Sequence, residues 1–323
     1  MALTHSGVYH SQGQAERVAF VGCMAVAPRG RVRQKRGMHM QQEPWIAVAQ
    51  VGDNLCAWVH EGGQVTALRT VPVQPFVPAL LELIGAYLRD DGVMPVMYAL
   101  ADAGHVRVPA PPPLDACVLP SVDPRIALSG LSSLYQTQPV DLLGMQGVQV
   151  AGFVAANPDW DGVLCLTGAQ SKWVHISAGE VVSFQTYLTG EMFDLLAEHS
   201  VLRDAIGRAT EGAGQDDESF HTALSDALSR PERVAGALFG LHAEAGLGPV
   251  TARARLAGML IGMELAGARP YWLGRDIALI GEAEWTAHYA AALRSQGVPV
   301  HYYDAAEMAL RGLQQAYAAH SIP

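Results

Sequence analysis

The chain has 323 residues, of which half are hydrophobic and 16% charged, and its formal net charge is −10. Such a length and apolar content supply a sizeable core and fit two domains of about 150 residues each. No apolar run reaches the ~18–20 residues of a membrane helix, and an acidic chain is a poor partner for nucleic-acid phosphates, so a membrane span and nucleic-acid binding are excluded at the outset. The cysteines, Cys23, Cys56, Cys117 and Cys165, are scattered without metal-site spacing and read as reduced thiols of a cytoplasmic protein. Lys35 and Lys172 are the only lysines.

Residues 1–37 differ from the rest. They carry Arg17, Arg29, Arg31, Arg33, Lys35 and Arg36 against the single acid Glu16. An apolar stretch ends in Ala25-Val26-Ala27, as an export signal would, but the basic cluster directly after it opposes translocation. Residues 1–40 therefore read as a disordered leader or an upstream mis-called start.

From residue 44 the pattern is regular. Two apolar runs at 45–51 and 55–60, joined by Gly52-Asp53-Asn54, predict a β-hairpin. A buried helix is expected over 78–88, with Pro78 in its first turn, and a strand over 93–100. The proline-rich stretch 105–125 reads as an irregular connection. A second hairpin is predicted from strands at 163–166 and 172–176 around Thr167-Gly168-Ala169-Gln170, with a third strand at 181–188. Thr189 is the expected cap of the next helix, with Glu191 in its first turn. Further helices are expected at 231–245, 251–267, 284–296 and 305–319, the last opening on an Asp304…Glu307 capping spacing. Short strands at 277–280 and 300–303 precede the last two helices. Two strand–turn–strand openings, each with helices later, predict two copies of one α/β architecture, at 44–155 and 160–323.

The string Gly168-Ala169-Gln170-Ser171-Lys172-Trp173-Val174, then Thr186-Tyr187-Leu188-Thr189-Gly190-Glu191-Met192-Phe193 and His199-Ser200, resembles the 2-keto-3-deoxygalactonate kinase family. That family's usual strings there are G-T-H-S-K-W-V and M-T-G-E-L-F. Gly258-Met259-Leu260-Ile261-Gly262-Met263-Glu264-Leu265, Leu279-Ile280-Gly281, Tyr289 and Ala292-Leu293 match its C-terminal blocks, and the resemblance runs from about residue 45 to 319. It implies an α/β, actin/hexokinase-like fold of two ribonuclease-H-like domains with a central cleft. It also implies ATP and Mg²⁺ as cofactors, and phosphorylation of the terminal hydroxyl of a 2-keto-3-deoxy sugar acid. The implied partners are thus a small sugar acid and a nucleotide, and a homo-oligomer is compatible with them.

By that resemblance Gly52, Asn54, Gly168, Ser171 and Lys172 belong to the phosphate site, and Gly258, Gly262 and Gly281 border the adenine pocket. Thr189, Gly190 and Glu191 line the substrate cleft. Each has a plainer alternative: Lys172 as a structural lysine, Thr189 and Glu191 as helix-start chemistry, and the helical glycines as close-packing positions. His175, His199, His221 and His242 lack helical pair spacing and read as polar contacts rather than a metal cluster.

The charged parts depart from the family. Its first hairpin, D-W-G-T-S-N-L-R-A-W, aligns with Ala49-Gln50-Val51-Gly52-Asp53-Asn54-Leu55-Cys56-Ala57-Trp58. The strand-end acid, a glycine and the arginine are absent, and Asp53 stands in the turn, either as a replacement metal ligand or as part of a hairpin kept for folding. An R-G-E-E-T-Q stretch aligns with Gly144-Met145-Gln146-Gly147-Val148-Gln149, and a later arginine with His242. Asp141, Asp159 and Asp161 are the nearby acids available as substitutes, with Asp141 the candidate base. Three readings follow: an active sugar-acid kinase with rearranged residues, a non-catalytic member acting as ligand sensor or oligomer partner, and an enzyme of altered activity in the same cleft.

Overall fold

Two strand meanders, each folded at a glycine turn and each extended by parallel strands, organise the chain. The computed structural model describes residues 43–73, 75–99, 104–207, 216–244 and 246–320, so the expectations for residues 1–40 lie outside it. In the first half, β1 (Trp45–Val51), β2 (Asn54–Glu61) and β3 (Gln64–Pro72) pair antiparallel. Helix α1 (Phe76–Ile84) buries Ala79, Leu80, Leu83 and Ile84. Strand β4 (Met94–Tyr98) then adds parallel to β1. After β5 (His105–Arg107) and β6 (Ala116–Val118), β7 (Ile126–Leu131) adds parallel to β4, and the sheet order is β3-β2-β1-β4-β7-β6. A small sheet joins β5 to β8 (Ser133–Thr137) and β9 (Val140–Leu142), and a 3-10 turn, Gly144–Gln146, leads into α2 (Gly147–Ala156).

The second half repeats the plan. Strands β10 (Gly162–Thr167), β11 (Ser171–Ser177) and β12 (Glu180–Tyr187) form the meander. A helical layer follows: α3 (Thr189–His199), α4 (Arg203–Ile206), α5 (Asp217–Ser229), α6 (Val234–Ala237), α7 (Gly240–Ala243), α8 (Pro249–Gly267) and α9 (Arg269–Trp272). Then β13 (Ile277–Gly281), α10 (Ala283–Ser295), β14 (Val300–Asp304) and α11 (Ala305–Ala319) complete it. The order is β12-β11-β10-β13-β14. Both sheets thus place the first meander strand centrally and add parallel strands beyond it, which is the duplicated ribonuclease-H-like plan of the actin/hexokinase-like fold. Burial on both faces explains why β13 reads as the unbroken apolar run Ile277-Ala278-Leu279-Ile280.

Helix α11 returns to the first half, where Ala309, Leu313 and Ala316 pack with Trp45, Ala47, Ala49 and Trp58. It crosses α2 at two glycines. A β-carbon on Gly152 would strike the Met308 carbonyl, and one on Gly312 the Val148 carbonyl.

Several expectations need correction. The helix expected at 78–88 begins at Phe76 and tightens to a 3-10 turn at Gly85–Tyr87. The connection at 105–125 contains β5 and β6, strands short enough that their pairing partners, not their own patterns, define them. The same applies to β7–β9, while α2 and α5 carry no prior expectation at all. The helix expected at 231–245 is broken into the 3-10 turn Pro231–Arg233, α6 and α7, because Pro231, Gly236 and Gly240 weaken a continuous helix. Thr189 is the first helical residue rather than the cap; Leu188 stands at the cap without a side-chain bond. The Asp304 cap forms as expected, accepting from the Glu307 backbone N–H at 2.7 Å.

The helix crossing gives a matched pair of outcomes. Gly312→Ala forces a methyl against backbone and should cost about 1–3 kcal/mol in urea unfolding. Gly236→Ala, with open space around its α-carbon, should be neutral or stabilising by up to about 1 kcal/mol.

Candidate functional site

The β1–β2 turn and the β10–β11 turn face one cleft of about 580 Å³, closed by the segment around β9 and by the start of α10. Gly52, Asp53, Asp141, Gly168, Lys172 and Gly281 line it. Gly52 has φ +56°, a conformation glycine adopts without strain, and the Glu282 carboxylate lies against it where a side chain would be. Carboxylates dominate the charged side chains of the lining: Asp53, Asp141, Asp194 and Glu282 face the cleft, and Lys172 is its one cationic side chain among the described residues. Burial raises the Asp194 pKa from its ordinary value of 3.8, and the charges of Glu198 and Asp53 raise it further.

Lys172 is 4% exposed. Its Nζ donates to the Leu142 carbonyl at 3.1 Å and to Thr186 Oγ1 at 2.8 Å. The Thr186 hydroxyl donates onward to Asp141 Oδ1 at 2.9 Å, and its backbone N–H donates to Asp141 Oδ2 at 2.7 Å. The Leu142 N–H donates to Asp141 Oδ1 at 2.7 Å. Lysine, threonine and aspartate therefore form a directed relay that ties β11 and β12 to β9. Burial lowers the Lys172 pKa, and the nearby Asp141 charge opposes the change. With three donors on its carboxylate, Asp141 is engaged in holding strands together. Among the other substitutes, Asp161 accepts from Ser177 at 2.8 Å, and neither it nor Asp159 lines the cleft.

Ser171 and Thr189 turn away from the cleft. Both donate to Glu264, a carboxylate of α8 that is 2% exposed. Glu264 Oε1 accepts from Ser171 Oγ and Trp173 Nε1, each at 2.7 Å; Oε2 accepts from Thr189 Oγ1 and, at 2.6 Å, from the Tyr289 hydroxyl. Burial raises the Glu264 pKa, and the four donors act against that rise. Four elements, β11, α3, α8 and α10, thus meet on one carboxylate.

The remaining candidates fall into two groups. Gly190 packs directly on the Gly168 carbonyl, and the Glu191 N–H donates to the Ala169 carbonyl at 2.8 Å, so α3 braces the second turn. Gly258 and Gly262 lie where α8 crosses α5, facing the Phe220 and Leu224 carbonyls, and do not line the cleft. Asn54 is exposed at the start of β2 and lies outside the lining too. No group of three or more His, Cys, Asp or Glu side chains among the described residues could hold a metal ion, Asp53 included.

Sequence reasoning missed Glu264, Asp194 and Glu282 as site residues. A signal for Glu264 existed: it lies three and four residues beyond Ile261 and Leu260 on one helix face, and a carboxylate on an apolar stripe needs partners. No local pattern marks the other two.

Comparison with known proteins matches this architecture. The profile of the 2-keto-3-deoxy-galactonokinase family matches residues 54–316. The chain belongs to that family. It is 34% identical over 227 residues to the 2-dehydro-3-deoxygalactonokinase DgoK1, so described as probable, of Rhizobium meliloti (strain 1021), covering 68% of this chain and 73% of that one. Over 139 residues it is 30% identical to the Escherichia coli (strain K12) 2-dehydro-3-deoxygalactonokinase, covering 42% and 46% respectively. A crystal structure from Sinorhizobium meliloti, described as a 2-dehydro-3-deoxygalactonokinase protein, superposes with a TM-score of 0.73 at 28% identity, over 86% of this chain and all of that one. In this family member, the strings that carry the resemblance, Ser171-Lys172-Trp173, Thr189-Gly190, Glu264 and Tyr289, converge on the Glu264 cluster.

That cluster predicts a graded response. Glu264→Ala leaves four buried donors unpaired and should cost about 3–5 kcal/mol in urea unfolding. Glu264→Gln should cost less, because its carbonyl still accepts from Trp173 while its amide donates to the Thr189 and Tyr289 hydroxyls. A carboxyl raised in the folded state favours folding most below its ordinary value of 4.5, and that contribution is lost as the pH rises through the folded value. The melting temperature of Glu264→Gln should therefore fall less than that of the wild type as the pH rises above 4.5.

Proposed function

We propose that this member of the 2-keto-3-deoxy-galactonokinase family keeps the kinase fold as a binding scaffold and does not transfer phosphoryl groups. It then serves as a ligand sensor or as a partner in an oligomer. One observation carries the reading: the single cation lining the cleft among the described residues, Lys172, is buried with its ammonium on Leu142 and Thr186, while four carboxylates face the same space. Phosphoryl transfer works by positioning and by neutralising phosphate charge, and removing one such group costs about 10³-fold or more. A cleft of this sign repels both a triphosphate and a sugar acid.

The family implies ATP and Mg²⁺. Mg²⁺ prefers hard oxygens in near-octahedral geometry, usually one or two carboxylates plus phosphates. Asp53 and Asp194 are the right chemistry, but no group of three or more His, Cys, Asp or Glu side chains forms among the described residues, so the ion would depend on the nucleotide's phosphates for most of its ligands. The candidate base Asp141 is likewise committed to Thr186 and Leu142.

Thermal shift with MgATP, and with ATP plus EDTA, tests the reading. A ligand at 100 times its dissociation constant stabilises the native state by about 2.7 kcal/mol. The expected result is no magnesium-dependent shift at millimolar nucleotide, and no ADP formed from MgATP with 2-keto-3-deoxygalactonate. A magnesium-dependent shift together with ADP formation would establish an active kinase instead. Lys172→Met should lower stability by about 1–3 kcal/mol, measured by urea unfolding.

A further inference from the structure

We infer that Glu282 decides whether a phosphate can occupy the first hairpin turn, because the free protein already presents its own anion there. The inference rests on the reading of the cleft as the family's phosphate site and names the residue that closes it. A glycine turn lets backbone N–H groups approach an anion closely. In this chain the Glu282 carboxylate, which comes from the second half of the molecule, fills the space beside Gly52 where a β-carbon would stand. Glu282 directly follows β13, a buried strand held between β10 and β14. Its backbone is fixed: the Glu282 carbonyl accepts from the Thr286 N–H at 2.9 Å, and the Thr286 hydroxyl bonds Thr167 at 2.9 Å. Only the side chain is left to move, so a phosphate must displace that carboxylate by a rotamer change.

The charges around the turn act the same way. Asp53 stands in the turn itself, and Asp194 faces it closely enough for the two charges to interact. Among the described residues no ion pair neutralises Glu282. An incoming phosphate meets both a filled seat and like charge. Removing the Glu282 charge relieves repulsion, and shortening the side chain also empties the seat. Glu282 is thus a specificity-determining residue that selects against phosphate-bearing ligands.

Calorimetric titration with inorganic pyrophosphate and with MgADP tests this on the wild type, Glu282→Gln and Glu282→Ala. Both variants should bind pyrophosphate at least about tenfold more tightly than the wild type, with Glu282→Ala the tighter of the two. The isosteric Glu282→Gln guards against a folding defect, which melting of the unliganded proteins would show. Affinities within about twofold of the wild type in both variants, or no binding by any of the three, would overturn the inference. The outcome is separable from the non-catalytic reading. ADP formation by the wild type overturns that reading alone if Glu282→Gln lowers the KM for ATP with kcat unchanged. Tighter pyrophosphate binding without turnover supports both.

Discussion

The structure depends first on how one buried carboxylate is satisfied. Glu264 sits in the interior of the second half, where an unpaired charge is expensive, and two hydroxyls, an indole N–H and a phenol answer it. Those donors come from β11, α3 and α10, while the acceptor comes from α8. A side-chain cluster of this kind fixes the mutual placement of four elements more sharply than apolar packing does, since each bond sets both a distance and a direction. It also places the second hairpin turn, because β11 begins at Ser171 and α3 begins at Thr189. Gly190 and the Glu191 N–H then hold α3 against residues 168–169.

A second polar assembly, the Lys172–Thr186–Asp141 relay, links the same hairpin to β9. The two assemblies give structural roles to Ser171, Lys172, Trp173 and Thr189, residues of the strings that resemble the family. The residues that carry the similarity have structural work that a fold requires with or without turnover. The positions at which the chain departs, Ala49 and Cys56 among them, have joined the apolar core of the first sheet. The charged side chains facing the cleft are mainly carboxylates, and Glu282 brings that charge onto the turn of the opposite half.

Strands and helices with strong internal patterns were legible in the sequence: both hairpins, β13, α8, α10, and α11 with its Asp304 cap. The strands β5–β9 were not, because they lack an unbroken apolar run or a marked turn and take their register from neighbours. Thr189 shows how local reasoning misplaces a role. Its hydroxyl fits a helix cap by type and position, yet Glu264, 75 residues away in sequence, binds it instead. Ser171, assigned to the phosphate site by resemblance, likewise donates to Glu264.

The sequence by itself determined the fold class, the family and the scarcity of cationic side chains, since these follow from periodicity, motif and composition. Only the tertiary structure decided which polar side chains face the cleft and which are turned inward. Hydrogen-bond partners such as Glu264 and Ser171, or Glu282 and Gly52 in close approach, lie on elements far apart in the chain. Their encounter is set by the packing of two sheets and the helices between them, and no local pattern records it.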